Sequence, residues 1–107
     1  MFNADFPARM KAVEITKDAD KPALVVGEIA LPDYGPDEVL IRVAASGVNR
    51  PDLMQVAGMY PPPPGASEIP GLELAGEIVA IGSNVTDWAC GDKVCALVTG
   101  GGYAQYA

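Results

Sequence analysis

Apolar positions in this chain fall in short runs rich in β-branched residues, each ended by Gly, Pro, Asp or Asn. Runs of that kind are the pattern of strands joined by tight turns, whereas amphipathic helices repeat apolar residues at every third or fourth position over several turns. Six segments fit the strand pattern: residues 10–16, 24–30, 38–45, 72–81, 93–98 and 103–107. The third is the clearest. In Glu38-Val39-Leu40-Ile41-Arg42-Val43-Ala44, alternation puts Val39, Ile41 and Val43 on one face and Glu38, Leu40, Arg42 and Ala44 on the other, so the first face is expected to be the better buried. Leu31-Pro32-Asp33-Tyr34-Gly35-Pro36-Asp37, with two prolines and a glycine, reads as the turn-rich connection into it. The expected fold class is mainly β.

One stretch breaks the β pattern. Asn49-Arg50-Pro51-Asp52-Leu53-Met54-Gln55-Val56-Ala57-Gly58 offers an N-cap in Asn49, Pro and Asp in the first turn, and Gly after the last periodic residue, so a short helix is expected near residues 50–57. Four consecutive prolines follow in Tyr60-Pro61-Pro62-Pro63-Pro64-Gly65, and they impose an extended conformation that cannot sit inside a sheet. Pro70-Gly71 then turns the chain into the next strand.

At 107 residues the chain has the size of one domain, expected over residues 10–107 behind a tail of residues 1–9. Tyr103-Ala104-Gln105-Tyr106-Ala107 reads as a strand in progress with no stop signal after it, so the sequence is expected to be truncated. Seven Lys and Arg against 14 Asp and Glu give a formal charge of −7 and leave no basic stripe. Nucleic acid and anionic membrane are therefore not expected partners, because both need clustered cations to displace counterions. Residues 1–10 hold one Arg and no apolar core segment, so neither a signal peptide nor a membrane span is expected, and the default compartment is the cytoplasm. Cys90 and Cys95 do not make a secreted disulfide framework and are expected as reduced thiols in or beside a strand.

Several residues carry two readings. Asn49 is a helix cap or a cleft residue, and the two roles can coexist. Asp52 reads first as a first-turn acid favoured by the helix dipole and second as a general acid. Glu73 is either a supporting group in a cleft or a buried, hydrogen-bonded carboxylate. Gly100-Gly101-Gly102 precedes a strand-like segment and not a helix, so it is expected to be a hairpin tip or bulge and not a dinucleotide fingerprint. Trp88 is expected to pack in the core or at its rim.

Three stretches together resemble the catalytic domain of the medium-chain dehydrogenase/reductase superfamily. They are Ala45-Ser46-Gly47-Val48-Asn49-Arg50-Pro51-Asp52, then Gly71-Leu72-Glu73-Leu74-Ala75-Gly76 running on to Gly82-Ser83-Asn84-Val85, and Cys90-Gly91-Asp92-Lys93-Val94. Zinc-dependent members place Cys where this chain has Asn49 and His where it has Leu72, and they insert a four-cysteine lobe. This chain has two cysteines and no histidine, so it lacks the donors a catalytic zinc needs. Val48-Asn49-Arg50-Pro51-Asp52-Leu53-Met54-Gln55, followed by Tyr60-Pro61-Pro62-Pro63-Pro64-Gly65-Ala66-Ser67, is similar to the zinc-independent quinone oxidoreductases, especially their p53-inducible quinone oxidoreductase branch.

The resemblance implies a GroES-like, partly open β-barrel, with a Rossmann domain in the parent enzyme that this chain lacks. It implies hydride transfer from NADPH to a quinone or conjugated carbonyl compound, and a homodimer for the full-length enzyme. Asn49 and Tyr60 are the implied catalytic residues: the Asn49 amide can donate and accept, and Tyr60 has a phenol to donate and a ring to stack on a flat quinone. Asn49, Arg50 and Met54 are the implied cofactor contacts, with Met54 standing where zeta-crystallin-type relatives carry a cofactor-contacting Tyr. The isolated 107-residue chain is expected to be inactive. The same scaffold also suits a non-enzymatic GroES-like co-chaperonin or assembly module, or an enoyl reductase of the same superfamily.

Overall fold

A computed structural model of the chain describes residues 6–16 and 22–107. The expected tail therefore lies outside the described residues as far as residue 5. From there the Phe6 ring packs on Tyr106, with centroids 6.0 Å apart. Five strands and one helix follow: β1 (Arg9–Ile15), β2 (Leu24–Ala30), β3 (Val39–Ser46), α1 (Arg50–Val56), β4 (Glu73–Ile81) and β5 (Lys93–Leu97). β1 and β2 form an antiparallel pair, and β3, β4 and β5 form an antiparallel sheet in the order β3-β4-β5.

The sixth expected strand takes a different form. Residues 103–107 make only two isolated bridges, Ala12 with Ala104 and Arg42 with Tyr106. The cause is a change of partner within five residues. The Gln105 N–H donates to Lys11 O (3.1 Å) while its carbonyl accepts from the Val43 N–H (2.8 Å), and the Ala107 N–H goes to Ile41 O (3.0 Å). One residue thus faces β1 on one side and β3 on the other, and neither ladder runs long enough to be a strand. The segment ties the two sheets into an open, barrel-like wall.

The core lies on the face that alternation assigns. Ile41, Leu74 and Ile78 are its buried centre, with Val39, Val43 and Val94 packed against them. β3 departs from simple alternation at Leu40, which is only 2% exposed although it belongs to the opposite face. Leu40 shares a cavity wall with Phe6, Pro7, Leu31 and Tyr34, so the segments flanking the sheet cover the second face locally. The register also shifts between Leu40 and Ile41. Trp88 is 52% exposed, which removes it from the core and leaves it at the surface.

The helix forms as its start and stop signals dictate. Asn49 sits at the N-cap with extended backbone (φ −129°, ψ 159°), and Pro51 lies in the first turn. Gly58 follows the end of α1 with φ +79°, a conformation that side chains other than Gly rarely adopt. The proline run after it forms neither helix nor strand. Both cysteines are free and exposed, Cys95 within β5 and Cys90 in the turn before it. No helix among the described residues is long and apolar enough to cross a membrane.

Candidate functional site

The site is built where β3 runs into α1 and meets the start of β4. Gly47 makes this possible: a Cβ there would overlap the Glu73 carboxylate, so the missing side chain leaves space for Glu73 to lie against the corner. The Gly47 N–H also donates to Glu73 O at 3.3 Å, which fixes the start of β4 beside it. Glu73 Oε1 accepts from Asn49 Nδ2 at 2.9 Å. Glu73 is thus a half-buried, hydrogen-bonded carboxylate that holds the Asn49 amide.

Asp52 does more than complement the helix dipole. It is the only buried residue of α1, 2% exposed. Its Oδ2 accepts from the Asn49 N–H at 2.9 Å, closing the first turn from inside, and from the Tyr103 hydroxyl at 2.7 Å. Asp52 Oδ1 is buried with no hydrogen-bond partner among the described residues. Burial, the hydrogen bond to Asp52 and the Asp52 charge, in that order, push the Tyr103 phenol up to about 12. Tyr103 therefore stays a donor throughout the neutral range.

This shift has a measurable sign. The folded-state value lies above the ordinary 10.0, so the stability tied to the Tyr103 proton is fully present below pH 10 and is lost as pH rises toward 12. A phenolate absorbance titration of Tyr103→Phe against the parent chain should lack a step near pH 12; a missing step near pH 10 would show that Asp52 does not hold the hydroxyl.

Gly71 brings Tyr103 to this place. Its φ is +111°, and a Cβ would come 2.7 Å from Tyr103 N and 2.8 Å from Gly102 Cα, so only Gly admits the approach. The Gly100-Gly101-Gly102 run is accordingly not a free hairpin tip. The Gly101, Gly102 and Tyr103 N–H groups donate to Ile69, Gly71 and Pro70 carbonyls at 2.7, 3.1 and 2.9 Å, and Ser46 Oγ donates to Gly102 O. These N–H groups are used internally, and no helix follows them.

The expected site residues divide into two places. Asn49 is half-buried in the network just described, and Arg50, the first residue of α1, is exposed. Met54 is half-buried within the helix. Tyr60 lies beyond the other end of α1, separated from Asn49 by seven helical residues, about 10 Å of rise. It is 39% exposed and lines a cavity of about 480 Å³ with Glu14, Ile15, Gln55, Pro62 and Ile69. Asn49 does not line that cavity. Sequence reasoning missed Tyr103, which stands 51 positions from Asp52 and has no local signal. Among the described residues no group of three or more His, Cys, Asp and Glu is arranged to hold a metal ion.

Comparison with known proteins agrees with this architecture. The family described as "Alcohol dehydrogenase GroES-like domain" matches residues 35–107. A quinone oxidoreductase of Lama guanicoe is 36% identical over 100 residues, covering 92% of this chain and 30% of that protein. A trans-enoyl reductase of Penicillium oxalicum is 37% identical over 113 residues, covering 95% of this chain and 29% of that protein. The solved structure of the quinone oxidoreductase from Coxiella burnetii superposes with a TM-score of 0.73 at 25% identity, over 92% of this chain and 33% of that one. The chain thus spans about 30% of the length of these relatives. It belongs to the alcohol dehydrogenase GroES-like domain family, as a quinone oxidoreductase-like member of the medium-chain dehydrogenase/reductase superfamily.

Proposed function

We propose that this chain is the substrate-side domain, residues 10–107, of a zinc-independent oxidoreductase that reduces quinones or conjugated carbonyl compounds with NADPH. The observation that supports the reading is the corner at Asn49, where Glu73 holds the side-chain amide of a residue that the family resemblance aligns with a Cys ligand of zinc-dependent members. The nicotinamide, when bound, supplies the hydride. The α1 helix is reached through Ser46-Gly47-Val48-Asn49, which has one glycine and does not make a dinucleotide turn, so the cofactor's phosphates are held by a further domain of the full-length protein.

What remains for this chain is orientation and polarity. With one N–H of its amide committed to Glu73, Asn49 has a second N–H and its carbonyl oxygen for the substrate or the nicotinamide amide. A donor aimed at the carbonyl oxygen of the acceptor stabilises the negative charge that develops there as hydride arrives. Tyr60 supplies a phenol and a ring at the mouth of its cavity, suited to a flat acceptor. Arg50, exposed beside Asn49, and the half-buried Met54 thioether are this chain's cofactor contacts in this reading, the first polar and the second apolar. The full-length enzyme is a cytoplasmic homodimer in this reading.

A panel of benzoquinones, conjugated ketones and an enoyl thioester, run on the full-length protein, tests the reading. Quinone turnover that persists after chelation is the expected result. Turnover lost on chelation and restored by zinc would refute zinc independence. A strong preference for the enoyl thioester would favour the enoyl reductase reading, for which the Penicillium oxalicum relative is the supporting observation.

A further inference from the structure

We propose that Tyr103 is a positioning residue for the reaction: from the segment that joins the two sheets it holds the Asp52 carboxylate, and through Asp52 the start of α1, so that the Asn49 amide keeps its place against Glu73. This rests on the reading of Asn49 as a cleft residue given above.

The helix needs such an anchor. At seven residues α1 is too short to be stable by its own hydrogen bonds, so tertiary contacts must hold it. Its apolar residues supply only part of them: Leu53, in its middle, is 62% exposed, Met54 and Val56 are half-buried, and Asp52 is its only fully buried residue. The bond from Gln55 Nε2 to Glu68 O (3.0 Å) is exposed and competes with water. The buried anchor is therefore polar, and it rests on one atom. Asp52 Oδ2 receives both the Asn49 N–H and the Tyr103 hydroxyl, while Oδ1 has no partner among the described residues. Without the Tyr103 hydroxyl, the only hydrogen bond left to this carboxylate is the local one from Asn49, which moves with the helix.

Tyr103, by contrast, is fixed to the sheets. Its N–H donates to Pro70 O (2.9 Å) and its carbonyl accepts from the Val13 N–H (2.8 Å), so its backbone is bonded on both sides. Glu73 is fixed at the other end of the chain of contacts through Gly47. Tyr103, Asp52, Asn49 and Glu73 thus run in series from one rigid wall to another, with the helix start suspended between them. A shift of about 1 Å in a group that orients a reacting partner can cost up to roughly 100-fold in rate, which makes the suspension consequential.

Selective labelling tests the clamp. Asn3, Asn49 and Asn84 are the chain's asparagines, so ¹⁵N-asparagine gives few and assignable side-chain amide signals. In Tyr103→Phe, the Asn49 backbone and side-chain signals should move or broaden, while Asn84, bonded separately to Asp37, stays unchanged. In the full-length reductase the same variant should lower kcat about tenfold and leave KM for NADPH within about twofold. Asp52→Ala, which removes the acceptor of both bonds, should act in the same direction and serves if Tyr103→Phe folds poorly. Glu73→Gln should move the Asn49 side-chain signal but not its backbone N–H. Unmoved Asn49 signals in a folded Tyr103→Phe chain would overturn the proposal, and so would moved signals with an unchanged kcat. If the wild-type full-length protein fails to reduce quinones while Tyr103→Phe still moves Asn49, the clamp stands and the functional reading falls.

Discussion

Ile78→Ala is expected to lower the stability of this domain by about 2–5 kcal/mol, the range for truncating a fully buried large aliphatic side chain. Ile78 is 1% exposed and stands at the centre of the cluster with Ile41 and Leu74. It lies opposite Ile41 in the β3–β4 ladder, and its N–H and carbonyl also bond the turn before β5, to Asp92 O and the Gly91 N–H at 2.9 and 2.8 Å. A cavity there loosens the pairing of β4 with both neighbours. Against a total of about 5–15 kcal/mol for an ordinary domain, such a loss is a large fraction. Urea unfolding should show a clearly lower midpoint with little change in slope. A midpoint shift worth less than about 1 kcal/mol would mean that the core is not centred on Ile78.

The second large effect concerns charge at the site. Asn49→Asp is nearly isosteric, but it puts a second carboxylate where an amide N–H now donates to Glu73 Oε1 over 2.9 Å. Two carboxylates at that distance cannot both ionise without cost, and one of them must hold its proton to higher pH than an isolated acid does. The folded variant therefore has a raised carboxyl value, and its loss of stability is small in acid and grows as pH rises above the ordinary carboxylate range. At neutral pH a loss of about 1–3 kcal/mol is expected, one to two pH units of differential interaction. Glu73→Gln in the same chain should restore most of it, because the amide can again donate across the gap. A destabilisation that is equal at acid and neutral pH, or that Glu73→Gln does not relieve, would show that Asn49 and Glu73 are not in contact.

Local patterns made much of this fold legible. The alternation in β3 identified the buried side because burial against a neighbouring sheet face acts on every second residue. The signals around α1 were equally local: Asn49 at the cap, Pro51 in the first turn, and Gly58 beyond the end. Leu40 escaped the same rule because the segments bearing Phe6, Leu31 and Tyr34 fold back over it, and period-two reasoning has no access to such tertiary cover. The internal bonding of Gly100-Gly101-Gly102 is hidden for the same reason. Its packing against residues 69–71 depends on a backbone some thirty positions earlier, and a glycine run looks the same whether it is free or wedged.

The site divides along the same line. Asn49 could be picked out because it combines a local cap signal with a motif position, and Glu73 could be named as a supporting group. Asp52 looked like a first-turn acid, which it is, but the sequence carried no sign of the second donor it receives. That donor comes from Tyr103 in a segment that switches partners between β1 and β3. Its role follows only from where Gly71 lets the chain pass.

In the proposed function, this chain supplies the polar groups that orient an acceptor, and another part of the full-length protein holds the dinucleotide. NADPH oxidation with a benzoquinone, measured in parallel on the isolated 107-residue chain and on the full-length protein, tests that division most directly. Turnover by the full-length protein and none by the isolated chain is the predicted result. Robust turnover by the 107 residues alone, or none by the full-length protein across the quinone panel, would contradict it.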